Sequence, residues 1–300
     1  MKAIQFATYG GPEVLRLVDV EEPHAGPGEV RIAVRAAGVN GFDGKVRAGY
    51  LAEQMPLTFP AGTGLDAAGV VDEVGEHVVD VEVGDAVFGS GRSTYAEFAV
   101  LTSWAAKPEG MSFEEAAGYP VPVETAIRIL DQVGVTAGQT LLVSGAAGGV
   151  GSAVVQIARA RGITVVGTAS ERNPDSVRSL GAVPTTYGDG LVDRVRGVAQ
   201  DGVDAALDIA GSGVISELIE LTGEPSKVVS IADFSAPEQG AQVSAEPKDP
   251  AGAFAEAARL FDDGALGTPV ARTFPLPDAA EAQAASAAGH VAGRFVLTIP

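Results

Sequence analysis

Between Gln139 and Arg161 the chain reads QTLLVSGAAGGVGSAVVQIARAR, and this stretch constrains the fold more than any other. Leu141, Leu142 and Val143 make an apolar run of strand length. A turn of small residues follows, Gly145 to Gly151, after which Val150, Val154, Ile157 and Ala158 recur at helical spacing. A glycine turn set between a strand and a helix is the context in which such a motif implies a dinucleotide site. Gly148 lets the backbone approach a pyrophosphate, and Gly151 allows close packing of helix on strand. The helix N-terminus offers unpaired N–H groups and a positive dipole end to the phosphates. The candidate cradle is therefore Ala147, Gly148, Gly149, Val150 and Gly151. Ala146 stands where the strict pattern has its first glycine. The chain holds 39 glycines in 300 residues, well above the usual ~7%. The inference therefore rests on the flanking strand and helix and on the second strand, Ile163 to Thr168, rather than on the glycines alone.

Charge and residue usage remove several classes of function. The net charge of -19 argues against a face that binds nucleic acid through its phosphates, which needs clustered Lys and Arg. The same charge argues against anionic membrane surfaces. The chain has no cysteine, so disulfides, thiolate nucleophiles and thiolate metal sites are excluded. Its three histidines, His24, His77 and His290, are far apart, and no metal is expected. No stretch is long and apolar enough to span a bilayer, and the N-terminal MKAIQFATYGG lacks a secretory apolar region. A cytoplasmic location is expected.

The pattern changes near residue 118. Before it, short strands punctuated by turn signals (Lys2 to Phe6, Glu29 to Ala37, Gly69 to Val74, Ala86 to Phe88, Thr94 to Val100) predict a partly open barrel or sandwich. Ser112 with Glu115 three residues on predicts a capped helix. From Thr140, strands and helices alternate through Ile231, which predicts a parallel sheet with helices on both faces. An Ala-rich helix, Ala251 to Asp263, a second helix, Leu276 to Ala288, and a terminal strand, Arg294 to Ile299, complete the reading.

With these residues placed, the chain resembles the medium-chain dehydrogenases/reductases of the zinc-independent quinone oxidoreductase branch. The motifs that carry the resemblance are AAGVNGFD (36–43), AGTGLDAAGVVDEVG (61–75), GDAVFG (84–89), SGAAGGVGS (144–152), GTAS (167–170), GVDAALDIAG (202–211) and GRFVLTI (293–299). It implies an α/β chain in which a doubly wound Rossmann domain, 119–261, is inserted into a mostly β, GroES-like barrel domain, 1–118 plus 262–300. Zinc-dependent relatives place ligands where this chain has Asn40, Leu65 and Val121, none of which can bind zinc. A reaction through a metal-bound alcohol is therefore not expected.

By the same resemblance, Asn40 lies near the nicotinamide and the acceptor, the alternative being an Asx-turn residue. Asp43 completes the family's NxxD or caps the helix that follows. Many relatives have a Tyr where this chain has Lys45, so Lys45 and Tyr50 are the candidate proton donors. For the cofactor, Ala169 stands where a NAD site has its ribose-binding acid. Ser170, Arg172 and Tyr187 suit a 2′-phosphate, which points to NADPH, while Glu171 keeps NADH open. Thr125, Ile209, Ala210, Ile231, Ala232, Phe234 and Arg294 are further cofactor contacts implied by the resemblance, and packing explains each equally well.

The function so implied is hydride transfer from NADPH to a quinone or another conjugated carbonyl, with no zinc and no flavin. One alternative is an enoyl or alkenal reductase on the same scaffold, which needs a general acid. Another is an NADPH-binding protein without turnover. The expected partner is a small-molecule quinone or enone. A homodimer through the edge strand Gln242 to Ala245 is also expected.

Overall fold

The computed structural model describes residues 1–170, 174–289 and 293–300. They fall into two compact units: Met1–Val121 with Pro250–Asp262 and Thr268–Pro300, and Pro122–Asp249 with Asp263–Gly267.

The first unit begins with β1 (Lys2–Phe6), β2 (Arg16–Asp19), β3 (Val30–Val39), α1 (Gly41–Ala48), β4 (Ala61–Gly62), β5 (Asp66–Val74), β6 (Ala86–Arg92), β7 (Phe98–Ala106) and α2 (Phe113–Ala117). β3 is the hub. It pairs with β5 along most of its length, and its first half, Val30 to Ala33, also pairs with β7. Because β6 bridges β5 and β7, the four strands return on themselves as a partly open barrel. Val30, Ile32 and Val34 alternate into the core, whereas Ala36 to Val39 are buried without alternation. The reason is α2, which lies over that half: a Cβ on Gly38 would sit 2.3 Å from the Ala117 carbonyl oxygen. Ser112 caps α2 by accepting the Glu115 N–H at 3.1 Å. The strand expected at Thr94 to Val100 is divided. Ala96 bridges to Ala3, and the Tyr95 carbonyl accepts from Ile4, so this piece joins the small β2-β1-β4 sheet before β7 starts at Phe98.

The second unit contains α3 (Pro120–Val133) from its third residue onward, then β8 (Thr140–Ser144), α4 (Gly149–Ala160), β9 (Thr164–Ala169), α5 (Pro174–Ser179), β10 (Val183–Thr186), α6 (Leu191–Val198), β11 (Ala205–Asp208), α7 (Ile215–Thr222), β12 (Val228–Ser230) and β13 (Gln242–Val243). The strands run parallel in the order β10-β9-β8-β11-β12-β13. This is the doubly wound order whose direction reverses between the first and fourth strands, and ligands bind outside the strand carboxyl ends at that point. Glu124 on α3 is buried against Arg128 at 2.9 Å, and Arg128 also bonds Ser244 beyond β13.

The remaining elements are α8 (Pro250–Asp262), β14 (Val270–Pro275), α9 (Ala279–Ala288) and β15 (Arg294–Thr298). They return to the first unit. β15 pairs antiparallel with the second half of β3, Phe295 opposite Val39 and Thr298 opposite Ala36, and parallel with β14. The sequence reading placed α8 in the nucleotide domain. In the structure it groups with the first unit, where Phe254 packs on Phe88 of β6 with ring centroids 5.9 Å apart. β14 was not foreseen: of its residues only Phe274 is buried, so no alternation marks it. No helix among the described residues is long and apolar enough to cross a membrane.

Candidate active site

Asn40 directly follows β3 and is the N-cap of α1. Its backbone N–H donates to the Asp43 carboxylate at 2.9 Å, one arm of a capping box. Its side chain is engaged elsewhere. Nδ2 donates to Asp66 Oδ2 at 3.0 Å, and Oδ1 accepts from the Arg294 guanidinium at 2.5 Å. Asp66 opens β5, and its carboxylate also accepts the Val121 N–H at 3.1 Å; Arg294 opens β15, 3.8 Å from the same carboxylate. Asp43 accepts a second bond from the Tyr95 hydroxyl at 2.9 Å. Gln283 of α9 bonds both Tyr95 and Arg47, the latter at 2.7 Å. All these groups are buried, Asp66 and Tyr95 completely. β3 thus carries Asn40 between two neighbouring strands, one bringing an anion and the other a cation.

Burial dominates the electrostatics of this cluster. It pushes the Asp66 carboxyl up to about 7, against the opposing pull of Arg294 and Asn40. It pushes Asp43 up to about 6, against the bonds from Asn40 and Tyr95 and the field of Arg294. The Arg294 guanidinium is lowered by the same desolvation, and the Tyr95 phenol is raised. The Nε of Arg294 is buried and has no hydrogen-bond partner.

The glycine turn of the second unit is equally defined. Gly148 is the N-cap of α4, with φ -77° and ψ 173°, and no side chain caps the helix. The first-turn N–H groups are thereby left to a ligand. Gly145 has φ +90°, and its N–H is held by Thr168 Oγ1 at 3.0 Å. A Cβ on Gly151 would meet the Gly145 oxygen at 2.1 Å, so glycine there is a packing requirement. Beyond β11 and β12 the loops are pinned through one buried pair. Ser230 donates to Asp208 at 2.9 Å, the Ser230 hydroxyl accepts the Ala232 and Asp233 N–H groups, and Asp208 accepts the Gly211 N–H. These loops carry Ile209, Ala210, Ile231, Ala232 and Phe234, the last 64% exposed. Tyr187 is 56% exposed on a loop clasped by Arg194, whose guanidinium bonds the carbonyls of Thr186, Tyr187, Gly188 and Asp189. Ser170 directly follows β9.

Of the sequence-derived candidates, Asn40, Asp43 and Arg294 meet in one network, and Ala147 to Gly151 form one turn. Lys45 and Tyr50 are exposed, Tyr50 at 77%, and neither joins the network. Thr125 is buried within α3. Arg172, and with it Glu171, lies outside the described residues. The sequence reading missed Asp66, Tyr95, Gln283, Asp208, Ser230 and Arg194. Asp66 carried a signal: it is the one charge ahead of the small apolar run Ala67 to Val71 that opens β5.

The description "alcohol dehydrogenase GroES-like domain" matches residues 26–118, and "zinc-binding dehydrogenase" matches residues 180–297. A quinone oxidoreductase of Sus scrofa is 33% identical over 241 residues, which cover 77% of this chain and 73% of the relative. The solved structure of the Coxiella burnetii quinone oxidoreductase superposes with a TM-score of 0.89 at 30% identity, over 100% of this chain and 99% of that one. This chain belongs to the quinone oxidoreductases of the medium-chain dehydrogenase/reductase superfamily. A further neighbour, mycobacterial Rv1454c solved complexed with NADPH, has a TM-score of 0.84 at 29% identity, each chain fully covered.

For a quinone oxidoreductase whose second domain carries a zinc-binding description, the donor set decides whether a metal fits. By the resemblance, Asn40, Leu65 and Val121 stand where zinc-dependent relatives place their ligands. The Asn40 amide is held by Asp66 and Arg294, and the guanidinium beside that carboxylate would repel a cation. No group of three or more His, Cys, Asp or Glu among the described residues is arranged to hold a metal ion. These residues do not suit Zn²⁺, which favours thiolate, imidazole and unencumbered carboxylate ligands.

Proposed function

We propose that this quinone oxidoreductase passes a hydride directly from NADPH to a quinone or a similar conjugated carbonyl, without zinc and without flavin. The observation that carries this reading is the Asn40 amide, held between a carboxylate and a guanidinium at the position where a metal-dependent relative needs a zinc ligand. Bound NADPH supplies the hydride. The quinone gains that hydride and one net proton, taken from solvent, and leaves as hydroquinone while the cofactor leaves as NADP⁺. The chain contributes binding, exclusion of water and donors for the developing oxyanion. The α4 N-terminus with Ala147 to Gly151 receives the pyrophosphate. Ser170, Arg172 and Tyr187 favour the 2′-phosphate. The first unit serves as the substrate domain and the second as the nucleotide domain. We also read the protein as a cytoplasmic homodimer joined through β13, which a monomeric mass by light scattering would contradict.

The test is a substrate panel with NADPH and NADH, comparing naphthoquinones, 2-alkenals and enoyl thioesters. The reading expects quinone reduction and a lower KM for NADPH. Activity confined to alkenes, or a strong NADH preference, would overturn it.

A further inference from the structure

We propose that a groove in the first unit, beside the short β2-β1-β4 sheet, is a second binding site that takes a small monocarboxylate with an apolar body. None of the residues that line it belongs to the Asn40 network, and the proposal does not depend on the quinone-reductase reading.

The groove has a volume of about 310 Å³, at the lower end of the range for small-molecule sites. Its walls come from β1, from the chain that follows β2 and from the stretch that joins β6 to β7. Ala3, Val20 and Phe98 give it apolar surface. Gln5, Arg92 and Ser93 also line it, and among the described residues none of these three side chains has a hydrogen-bond or ion-pair partner. For Arg92 this is a departure from the rest of the chain. Asp and Glu number 39 against 20 Lys and Arg, so carboxylates are plentiful. Arg16, Arg31, Arg47 and Arg272 of the same unit are all engaged.

A guanidinium, an amide NH₂ and a hydroxyl all donate. The guanidinium fork also matches the two oxygens of a carboxylate in one plane. Three such donors around an apolar wall suit an anion with a hydrocarbon body. Glu21 lines the same groove and repels a second negative group, which selects a monocarboxylate over a phosphate ester or a dicarboxylate.

The backbone at Ser93 points the same way. Its φ is +57°, in the left-handed region that a residue with a side chain adopts at a cost. Bonds on both sides impose it: the Gly91 N–H donates to the Leu65 carbonyl at 2.8 Å, and the Thr94 N–H to that of Gly64 at 3.3 Å. The result is that Ser93 lies on Gly62, where an added Cβ would sit 2.5 Å from the Ser93 Cβ. Ser93 is exposed, so burial of its side chain does not account for the strained backbone. Strain of this kind gathers at ligand clamps.

The test uses the whole chain and 2-naphthoate as the probe. At about 0.3 kcal/mol per non-hydrogen atom, its dissociation constant should be about 1 mM or tighter. Binding should shift the backbone ¹⁵N–¹H signals of Gln5, Ser93 and Phe98. Arg92→Met should weaken it about tenfold or more, as for a lost charge-assisted bond. Methyl 2-naphthoate, which lacks the charge, and phenyl phosphate, which carries a second one, should both bind more weakly. Ser93→Gly removes the hydroxyl without straining the backbone, so it should weaken 2-naphthoate binding while melting no lower than wild type. Arg92→Met should keep the wild-type kcat and KM for NADPH and a naphthoquinone. The proposal is overturned if 2-naphthoate does not saturate the protein by about 10 mM, if its shifts fall outside the groove, or if Arg92→Met binds it as the wild type does. Tighter binding of phenyl phosphate would refute the ligand class. A loss of quinone turnover in Arg92→Met would make the groove part of the acceptor site and refute a separate one. If the wild type reduces no quinone, the functional reading fails, and the titrations still decide the groove.

Discussion

Replacing Gly148 by alanine separates what the fold needs from what a dinucleotide needs. At this N-cap the backbone lies at φ -77° and ψ 173°, which any residue adopts, and an added Cβ would meet only the Gly145 oxygen, at 3.5 Å. Restricting the unfolded chain stabilises such a substitution by about 0.4–1 kcal/mol. Alanine is the poorer N-cap by about the same amount. The net change should stay within about 1 kcal/mol, a Tm shift of less than about 4 °C. If the pyrophosphate lies against this turn, the methyl group occupies its space. Losing one charge-assisted N–H bond to phosphate costs about 1.5–3 kcal/mol, which weakens NADPH binding about ten- to over a hundredfold. Gly151→Ala provides the contrast. There the Cβ would lie 2.1 Å from the Gly145 oxygen and 2.8 Å from the Ala146 Cα, so backbone must move. Overpacking of that kind costs about 1–3 kcal/mol, and the apoprotein should melt lower. The assays are NADPH fluorescence titration and thermal melting with and without cofactor. A Gly148→Ala protein that binds NADPH within about threefold of wild type would refute the placement of the pyrophosphate.

Arg194→Ala frees four carbonyls of the loop that carries Tyr187, and KM for NADPH should rise about tenfold while KM for quinone stays constant; an unchanged NADPH KM would exclude that loop from cofactor binding. The pH dependence of stability has a definite sign. Asp66 and Asp43 are raised from 3.8 to about 7 and about 6 by burial, with Arg294, Asn40, Tyr95 and the Val121 N–H facing them. The folded state therefore retains protons that the unfolded chain has released, so this contribution is greatest below about pH 4 and is lost as pH rises through about 7. For Asp66 the loss is on the order of 4 kcal/mol, not additive with that of its coupled neighbour. Asp66→Asn should accordingly gain Tm relative to wild type between pH 5 and pH 8, and parallel profiles would refute the assignment.

Local signals were legible in the sequence, and the two units differ in how far those signals reach. The β8–turn–α4 unit and the alternation after it are each encoded within about twenty residues, so strand, turn and helix read directly. The barrel depends on partners remote in sequence. The fate of Thr94 to Ala96 is decided by Ala3 and Ile4, and that of α8 by Phe88. The candidate site divides in the same way. Asn40 and Asp43 belong to one motif and were visible together. Asp66, Tyr95, Gln283 and Arg294 come from four separate segments and meet only through the β3 ladders and α9. Lys45 and Tyr50 are candidates through the resemblance, and nothing in the sequence around them shows that both are exposed.

The late arrival of β15 also sets the order in which the protein can be assembled. Arg294 bonds Asn40 across 254 positions of sequence. During synthesis the first strands leave the ribosome long before the residues that close their sheet, while the nucleotide unit between them contains its whole sheet and can form first. Until β15 arrives, the Ala36 to Val39 half of β3 has β5 on one side and no strand on the other, an exposed edge of the kind that invites wrong pairing. A chain halted before Arg294 lacks the cation of the Asn40 network along with that strand. Completion of translation and competence of the site are thereby tied to the same few residues, and a prematurely terminated product could bind nucleotide without becoming a reductase.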